Sequence, residues 1–298
     1  MMWMRLLDIC DFQGGSQPPK EEWSFAEQEG YIRMLQIRDL TQSEKVTPEY
    51  IKISNCIKTC TEDDVLIARY GASIGKVLTG IAGAYNVAIM RTIPDTDIIR
   101  KRFLYYYLKS SYFQYAILNV GSRAAQAGFN KTDLAKLEIT CPELSKQDKI
   151  VKILEKVESI IQKRKDQLNA LDYIIKARFV EMFGDVKYGS ERWGGKPFKD
   201  ITINLDSKRK PVKDADRKRM QGIYPYYGAT GIVDYINDYR QDGDFLLISE
   251  DGKALELRSK PIAFLASGKI WVNNHAHVQQ CTDECNMIYL MYHINFMD

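Results

Sequence analysis

Apolar residues through the middle of the chain recur at helical spacing: Ile150, Ile153, Leu154, Val157, Ile160, Ile161, Leu168, Leu171, Ile174, Ile175, Phe179 and Met182. A period near 3.6 held for about ten turns predicts one long amphipathic helix over Ser145–Phe183. At roughly 1.5 Å per residue it is about 57 Å long, longer than an ordinary domain is wide, so it must separate or join two bodies. Its ends carry boundary signals. Pro142 lies upstream, Ser145 and Asp148 form a Ser-x-x-Asp capping pair, and Gly184 follows the last apolar residue.

Residues 1 to 144 read as a mixed α and β domain. Strand-like runs fall at Ile32–Ile37, Val65–Tyr70, Gly75–Leu78 and Asn86–Ile93, and a helix is predicted from Arg100 to Val120, with Phe103, Leu104, Tyr107, Leu108, Phe113 and Ile117 on one side. After the long helix the same punctuation returns. Trp193–Ile201 echoes Trp3–Ile9 at an offset of about 190 residues, the spacing of one supersecondary plan used twice. Asp244–Lys253 echoes Asp64–Gly71, Asn273–Val278 echoes Tyr85–Ile89, and Ile288–His293 echoes Phe103–Leu108. The predicted fold class is α+β: two mixed domains, 1–144 and 186–298, separated by a helical spacer, 145–185. Nothing after His293 matches the stretch from Gly121 to Pro142, so the second copy reads as C-terminally incomplete, which points to truncation.

Composition narrows the class. With 298 residues there is room for two cores, and 45% hydrophobic with 27% charged residues is the balance of a globular protein. No apolar run has the ~18 residues of a membrane span and no secretory leader opens the chain, so a cytoplasmic protein is expected. The six cysteines (Cys10, Cys56, Cys60, Cys141, Cys281, Cys285) have no framework spacing, which suits reduced thiols. Net charge is only +3, but Lys208–Arg219 holds seven basic residues against two acids, and the long helix nine against six. Solvated faces explain either one; a polyanion partner explains both.

Catalytic motifs fall short of their chemistry. Gly71–Lys76 (Gly-Ala-Ser-Ile-Gly-Lys) is one residue short of a phosphate-binding loop and has Val77 where Ser or Thr should hold magnesium, so it reads as a tight turn between strands. Such a turn still presents Arg69, Tyr70, Ser73 and Lys76 to a nucleic acid. Glu250, Asp251 and Lys253 resemble half of a metal-dependent nuclease site without the second acid. His275, His277, Cys281 and Cys285 match no zinc-site spacing. There is no Gly-x-Ser-x-Gly elbow and no Asn-Pro pair for an amino-methyltransferase motif. What remains is aromatic, amide and basic chemistry on loops: Tyr224–Gly231, Ser267–Lys269 and Asn273–His275, residue types that stack on bases, read base edges and hold phosphates. Two such heads about 50 Å apart would span roughly fifteen base pairs of B-DNA.

Together these pieces resemble the specificity subunit of type I restriction-modification enzymes. The residues that carry the resemblance are Ala177–Asp185 (Ala-Arg-Phe-Val-Glu-Met-Phe-Gly-Asp), Tyr224–Gly231 with Asp244–Ser249, and Gly128-Phe129-Asn130-Lys131 before Leu134. It implies two target-recognition domains that each read half of a split double-stranded DNA site. It also implies helical regions that dock methyltransferase and restriction motor subunits, a coiled-coil partner helix, and a non-catalytic chain whose S-adenosylmethionine, ATP and Mg belong to the partners. Carried onto this sequence, the DNA-binding candidates are Arg69, Tyr70, Ser73, Lys76, Asn86, Arg123, Gln126 and Lys131 in the first domain. In the second they are Tyr226, Tyr227, Thr230, Ser249, Lys253, Lys269, Asn274 and His275. The docking face is Ile150 through Phe179, expected to be partly exposed or covered by the methyltransferase or a second copy of the chain. A scaffold that pairs proteins through the helix without DNA specificity is the alternative, and a nuclease resting on Asp251 is the third reading.

Overall fold

In the computed structural model, which describes residues 2–42, 45–121, 128–186, 194–258 and 260–297, the central stretch is one unbroken helix, Leu144–Phe183. It starts one residue before the predicted position, so Ser145 lies in the first turn instead of capping it. Ser145 Oγ donates to Glu143 Oε1, and Asp148 pairs with Arg100 at 3.2 Å. The Glu143 carbonyl opens the helix by accepting the amides of Lys146 and Gln147. The stop is as read: Gly184 takes φ +86°, where a Cβ would be strained, and its amide returns to the Val180 carbonyl. Two units divide the chain, Met1–Lys163 and Arg164–Asp298, and the helix contributes to both.

The first unit runs β1 (Met2–Arg5), α1 (Leu6–Ile9), β2 (Cys10–Gly14), β3 (Trp23–Ser24), β4 (Tyr31–Leu35), α2 (Ile37–Thr41), β5 (Tyr50–Lys52), β6 (Thr59–Cys60), β7 (Leu66–Ala68), β8 (Val77–Leu78), β9 (Gly83–Tyr85), β10 (Ile89–Pro94), α3 (Lys101–Lys109), α4 (Ser111–Gly121), α5 (Lys131–Leu134), β11 (Glu138–Cys141) and the start of α6 (Leu144–Phe183). One sheet has the order β2-β10-β7-β8, a second β3-β5-β4-β9-β6, and β1 pairs with β11. The main core gathers Leu6, Ile9, Phe12, Ile67, Leu104, Leu108, Phe113 and Phe129.

Several predicted boundaries shift, each for a local reason. The helix expected over Arg100–Val120 is two helices, because Ser110 adopts ψ 150° and its hydroxyl accepts the Phe113 amide at 3.3 Å. The Ile32–Ile37 strand ends at Leu35, where Gln36 and Asp39 close a capping box that starts α2. The last strand begins only at Ile89, because the Asn86 side chain accepts the Ala88 amide and turns the chain first.

The second unit contains the rest of α6, α7 (Phe198–Ile201), β12 (Thr202–Asn204), α8 (Asp214–Arg217), β13 (Gln221–Gly228), β14 (Gly231–Ile236), β15 (Gln241–Ser249), α9 (Lys253–Leu257), β16 (Ala263–Val272), β17 (Ala276–Cys281) and α10 (Met287–Phe296). Its sheet order, β12-β17-β15-β16-β13-β14, contains the order β2-β10-β7-β8 over again, with the same antiparallel pairings. The parallel pair β4/β9 recurs as β13/β16. Irregular hydrogen bonds recur as well. The Asn86 amide bonds the Leu35 carbonyl at 3.2 Å and the Asn273 amide the Tyr227 carbonyl at 3.0 Å. Likewise Asp95 bonds Ile9 at 2.9 Å and Thr282 bonds Ile201 at 3.0 Å. The internal repeat in the sequence is therefore one topology built twice, although Trp193 lies outside the described residues. Among the described residues no helix is long and apolar enough to cross a membrane.

Candidate nucleic-acid interface

In the first unit the candidates centre on the β7–β8 connection. Gly71 (φ +69°) and Gly75 (φ +79°) bracket a one-turn 3-10 helix, the tight turn that the spacing predicts. Arg69 lies with its guanidinium 4.9 Å from the Tyr70 ring centre and donates through Nε to the Phe129 carbonyl at 3.3 Å. Tyr70 forms a β-bridge with Gly128. A Cβ on Gly128 would stand 2.4 Å from the Tyr70 ring, which is why glycine precedes Phe129. Phe129 is buried in the core and Asn130 caps α5 with Asp133, so the Gly-Phe-Asn-Lys motif serves first as an anchor for the loop.

Lys131 pairs with Asp11, and its hydrogen bond holds the Asp11 carboxyl below the usual carboxylate range. Lys76 and Tyr70 are exposed and Ser73 is half-buried. Asn86 is a turn residue, its side-chain oxygen taken by the backbone. Arg123 and Gln126 lie outside the described residues, as does the side chain of Lys253.

In the second unit the structure corrects three candidates. Tyr226 is buried, with its hydroxyl accepting the Val212 amide at 2.9 Å and the Arg217 guanidinium 5.2 Å from its ring. Tyr227 is buried against Phe264. Ser249 is buried, and its hydroxyl donates to the Ala229 carbonyl. The reason lies in the sheet: β13 sits between β14 and β16 and is covered on both faces, so successive side chains both point into apolar clusters.

The other candidates reach the surface. Thr230 is at the exposed tip of the β13–β14 hairpin, and Asn274 and His275 occupy the turn before β17. His275 Nδ1 lies 2.7 Å from Asp251 Oδ2. Lys269 places Nζ 4.7 Å from the ring centre of Tyr239, which in turn packs 5.2 Å from Tyr224.

Beside this aromatic pair stands a basic group that residue-by-residue reading missed. Arg240 covers Trp271 at 5.4 Å and donates to the Lys208 carbonyl at 2.9 Å, while Trp271 donates to the Lys210 carbonyl at 2.7 Å. These bonds fasten the basic run through its backbone and leave the Lys208 and Lys210 side chains in solvent. The charge run was the signal, but it could not tell these lysines from Arg209 and Arg217, which are committed internally to Asp206 and Glu250 and to Asp214 and Asp234. Burial would push Asp206 up; hydrogen bonds from His277 and the Val278 amide outweigh it and hold the carboxyl low.

The residues weighed for zinc are drawn apart. His275, in the turn before β17, and His277, near the start of the strand, lie on Asp251 and Asp206, whereas Cys281 ends the strand, where burial and then Cys285 push its thiol up to about 11. No described group of three or more His, Cys, Asp or Glu is placed to hold a metal. On α6, Ile153, Val157, Ile160, Ile161, Leu168, Leu171, Ile174 and Ile175 are exposed, while Ile150 and Leu154 are half-buried. Phe179 departs from this face: it is 6% exposed, stacked on Tyr289 at 5.5 Å and edge-on to Phe296 at 5.3 Å, and so belongs to the packing of the second unit.

A duplicated α+β plan joined by a long helix defines a class of proteins built from two copies of one domain topology. The chain belongs to the type I restriction modification DNA specificity domain family, whose description matches residues 1–170 and 190–298. A putative type I restriction enzyme specificity subunit of Haemophilus influenzae is 40% identical over 111 residues, 37% of this chain and 27% of that relative. The match thus spans about a quarter of the relative's length. The crystal structure of the type I restriction-modification S subunit from M. genitalium shares the fold over 99% of this chain and 77% of its own, with a TM-score of 0.53 at 16% identity. A chain from work on complex assembly and conformational transition of the type I R-M system does so over 99% and 79%, with a TM-score of 0.52 at 12% identity.

Proposed function

We propose that this chain is the DNA-specificity subunit of a type I restriction-modification complex. Each unit reads one part of a split double-stranded site, the exposed face of α6 docks methyltransferase subunits, and the restriction motor subunit joins the same assembly. In this reading the chain does no chemistry, and S-adenosylmethionine, ATP and Mg are held by its partners.

The observation that carries the reading is one backbone plan bearing unlike chemistry at the same positions. Arg69-Tyr70-Gly71 and Glu250-Asp251-Gly252 leave equivalent strand ends, with the amides of Arg69 and Glu250 bonded to the carbonyls of Ala88 and His275 at 2.8 and 3.1 Å. A duplicated enzyme would keep its reacting groups in both copies. A duplicated reader changes them, because each half-site shows a different pattern of donors and acceptors in the groove. Exposed Lys76, Lys208, Lys210 and Lys269 supply the phosphate contacts that position such a reader. The uncovered apolar side chains of α6 supply a surface of the kind protein partners cover.

The test is co-expression with a methyltransferase subunit followed by genome-wide mapping of methylated adenines. The expected motif is bipartite: changes at Arg69 and Tyr70 alter one half, and changes at Thr230 and Lys269 the other. Sequence-independent modification, or none, would favour a scaffold that pairs proteins through α6.

A further inference from the structure

Along β7 the side chains alternate between two cores: Val65 and Ile67 enter one, Leu66 and Ala68 the other. Arg69 is the next residue on the side of Val65 and Ile67, and it continues the extended backbone, its amide bonded to the Ala88 carbonyl at 2.8 Å. Its guanidinium emerges where that core ends at Phe129, and Nε donates to the Phe129 carbonyl at 3.3 Å. The Tyr70 ring supports it, with the ring centre 4.9 Å from the guanidinium carbon.

Two glycines make room for this pair. A Cβ on Gly14, at the end of β2, would stand 3.0 Å from Arg69 Nη1, and one on Gly128 would stand 2.4 Å from the Tyr70 ring. The result is a half-buried guanidinium held in one plane. Of its five N–H donors only the one on Nε is used; among the described residues neither Nη makes a hydrogen bond and no carboxylate pairs with it. Nearby Lys131, by contrast, is paired with Asp11. At the equivalent strand end of the second unit stands Glu250, which is taken by Arg209. The open, aimed pair of donors therefore belongs to the first unit.

We propose that Arg69 reads a guanine in the half-site of the first unit, its two Nη groups donating to O6 and N7 on the major-groove edge of the base. The assignment rests on the chain being a DNA-specificity subunit, and it names the base at one position. A fork of donors needs two acceptors side by side, which guanine alone presents there. Adenine sets a donor beside N7, cytosine offers a donor, and thymine offers one acceptor next to a methyl group. A phosphate also accepts two bonds, but it does so from many directions, so a cation that only neutralises it needs no fixed plane. Exposed Lys76 suits that task. Arg69, fixed by a carbonyl, a ring and a glycine, is oriented before the base arrives and loses little side-chain freedom on binding it.

The test selects bound sequences from a random library of DNA duplexes with the full chain, co-expressed with a methyltransferase subunit. Three forms are compared: the native chain, Arg69→Lys, which keeps the charge and loses the planar fork, and Arg69→Gln, a second variant should the first fail to fold. The native chain is expected to select a motif in two parts, with guanine at a position of one part that both variants relax while the other part stays unchanged. In a second measurement each guanine of the motif is replaced in turn by 7-deazaguanine, which lacks the N7 acceptor. At that position the native chain should bind about tenfold more weakly or worse, the scale of a lost base contact, and Arg69→Lys should not distinguish the two duplexes. A motif kept intact in both variants, with affinity lost evenly across sequences, would place Arg69 on phosphate and overturn the proposal. Relaxation at a base other than guanine, or in both parts, would overturn it too. Those outcomes leave the specificity reading standing, whereas a native chain that selects no two-part motif overturns both.

Discussion

Gly128 shows how a side chain constrains its neighbours when it is only a hydrogen atom. Arg69 and Tyr70 were legible as candidates from their turn, but the reason for the glycine was not, because the Tyr70 ring that occupies the space comes from a distant strand end. Gly128→Ala should destabilise the first unit by about 1–3 kcal/mol through overpacking. Adding Tyr70→Ala should recover part of that loss, since contacting sites are not additive. Thermal melts of the single and double variants check this; strictly additive losses would refute the contact.

His293 makes a second prediction at this scale. Burial lowers its pKa from the ordinary value of 6.5, so the fold prefers the neutral ring. The unfolded chain then binds more protons in the window below 6.5, and stability falls as pH drops through it. Melting of the second unit between pH 7 and pH 5 should fall more steeply in the native protein than in His293→Phe. Parallel curves would count against the assignment.

Among the elements, α6 was the most readable. Period and length announced it, and only its first cap was misplaced, because Glu143, not Ser145, received the free amides. Its two halves are held differently. Toward the first unit buried Gln147 and Val151 in its opening turns are followed by surface pairs, Arg102–Glu155 at 3.0 Å and Lys109–Glu158 at 2.7 Å, with Tyr106 adding a hydrogen bond to Glu158 at 2.8 Å. Exposed pairs of this kind are worth about 0–1 kcal/mol each. Toward the second unit it uses Phe179 and Phe183 against the aromatic face of α10. Phe179→Ala should therefore cost roughly 3 kcal/mol, the scale of a buried aromatic truncation. The loss should appear only in the denaturation transition of the second unit, and hydrogen exchange resolved by segment would show whether it stays there.

At the scale of the whole molecule the prediction concerns ionic strength. If Lys208 and Lys210 each touch a phosphate, Lys208→Gln with Lys210→Gln should flatten the plot of log binding constant against log salt by about 0.9 per lost contact. The DNA sequence preference should remain unchanged. Fluorescence anisotropy across a salt series measures the slope; an unchanged slope, or an altered preference, would remove these lysines from the phosphate role.

The sequence by itself determined the duplicated plan and its long helix, because periodicity and turn residues are local signals that tertiary contacts only sharpen. It also marked the basic run after Leu205 and the loop glycines. Only the tertiary structure decided which polar residues face out. Tyr226, Tyr227 and Ser249 went inward because β13 and β15 are sheet-interior strands covered by distant segments, and Arg209 and Arg217 were claimed by acids brought in from other strands. Burial and pairing depend on what arrives from elsewhere in the chain, and no local pattern encodes that.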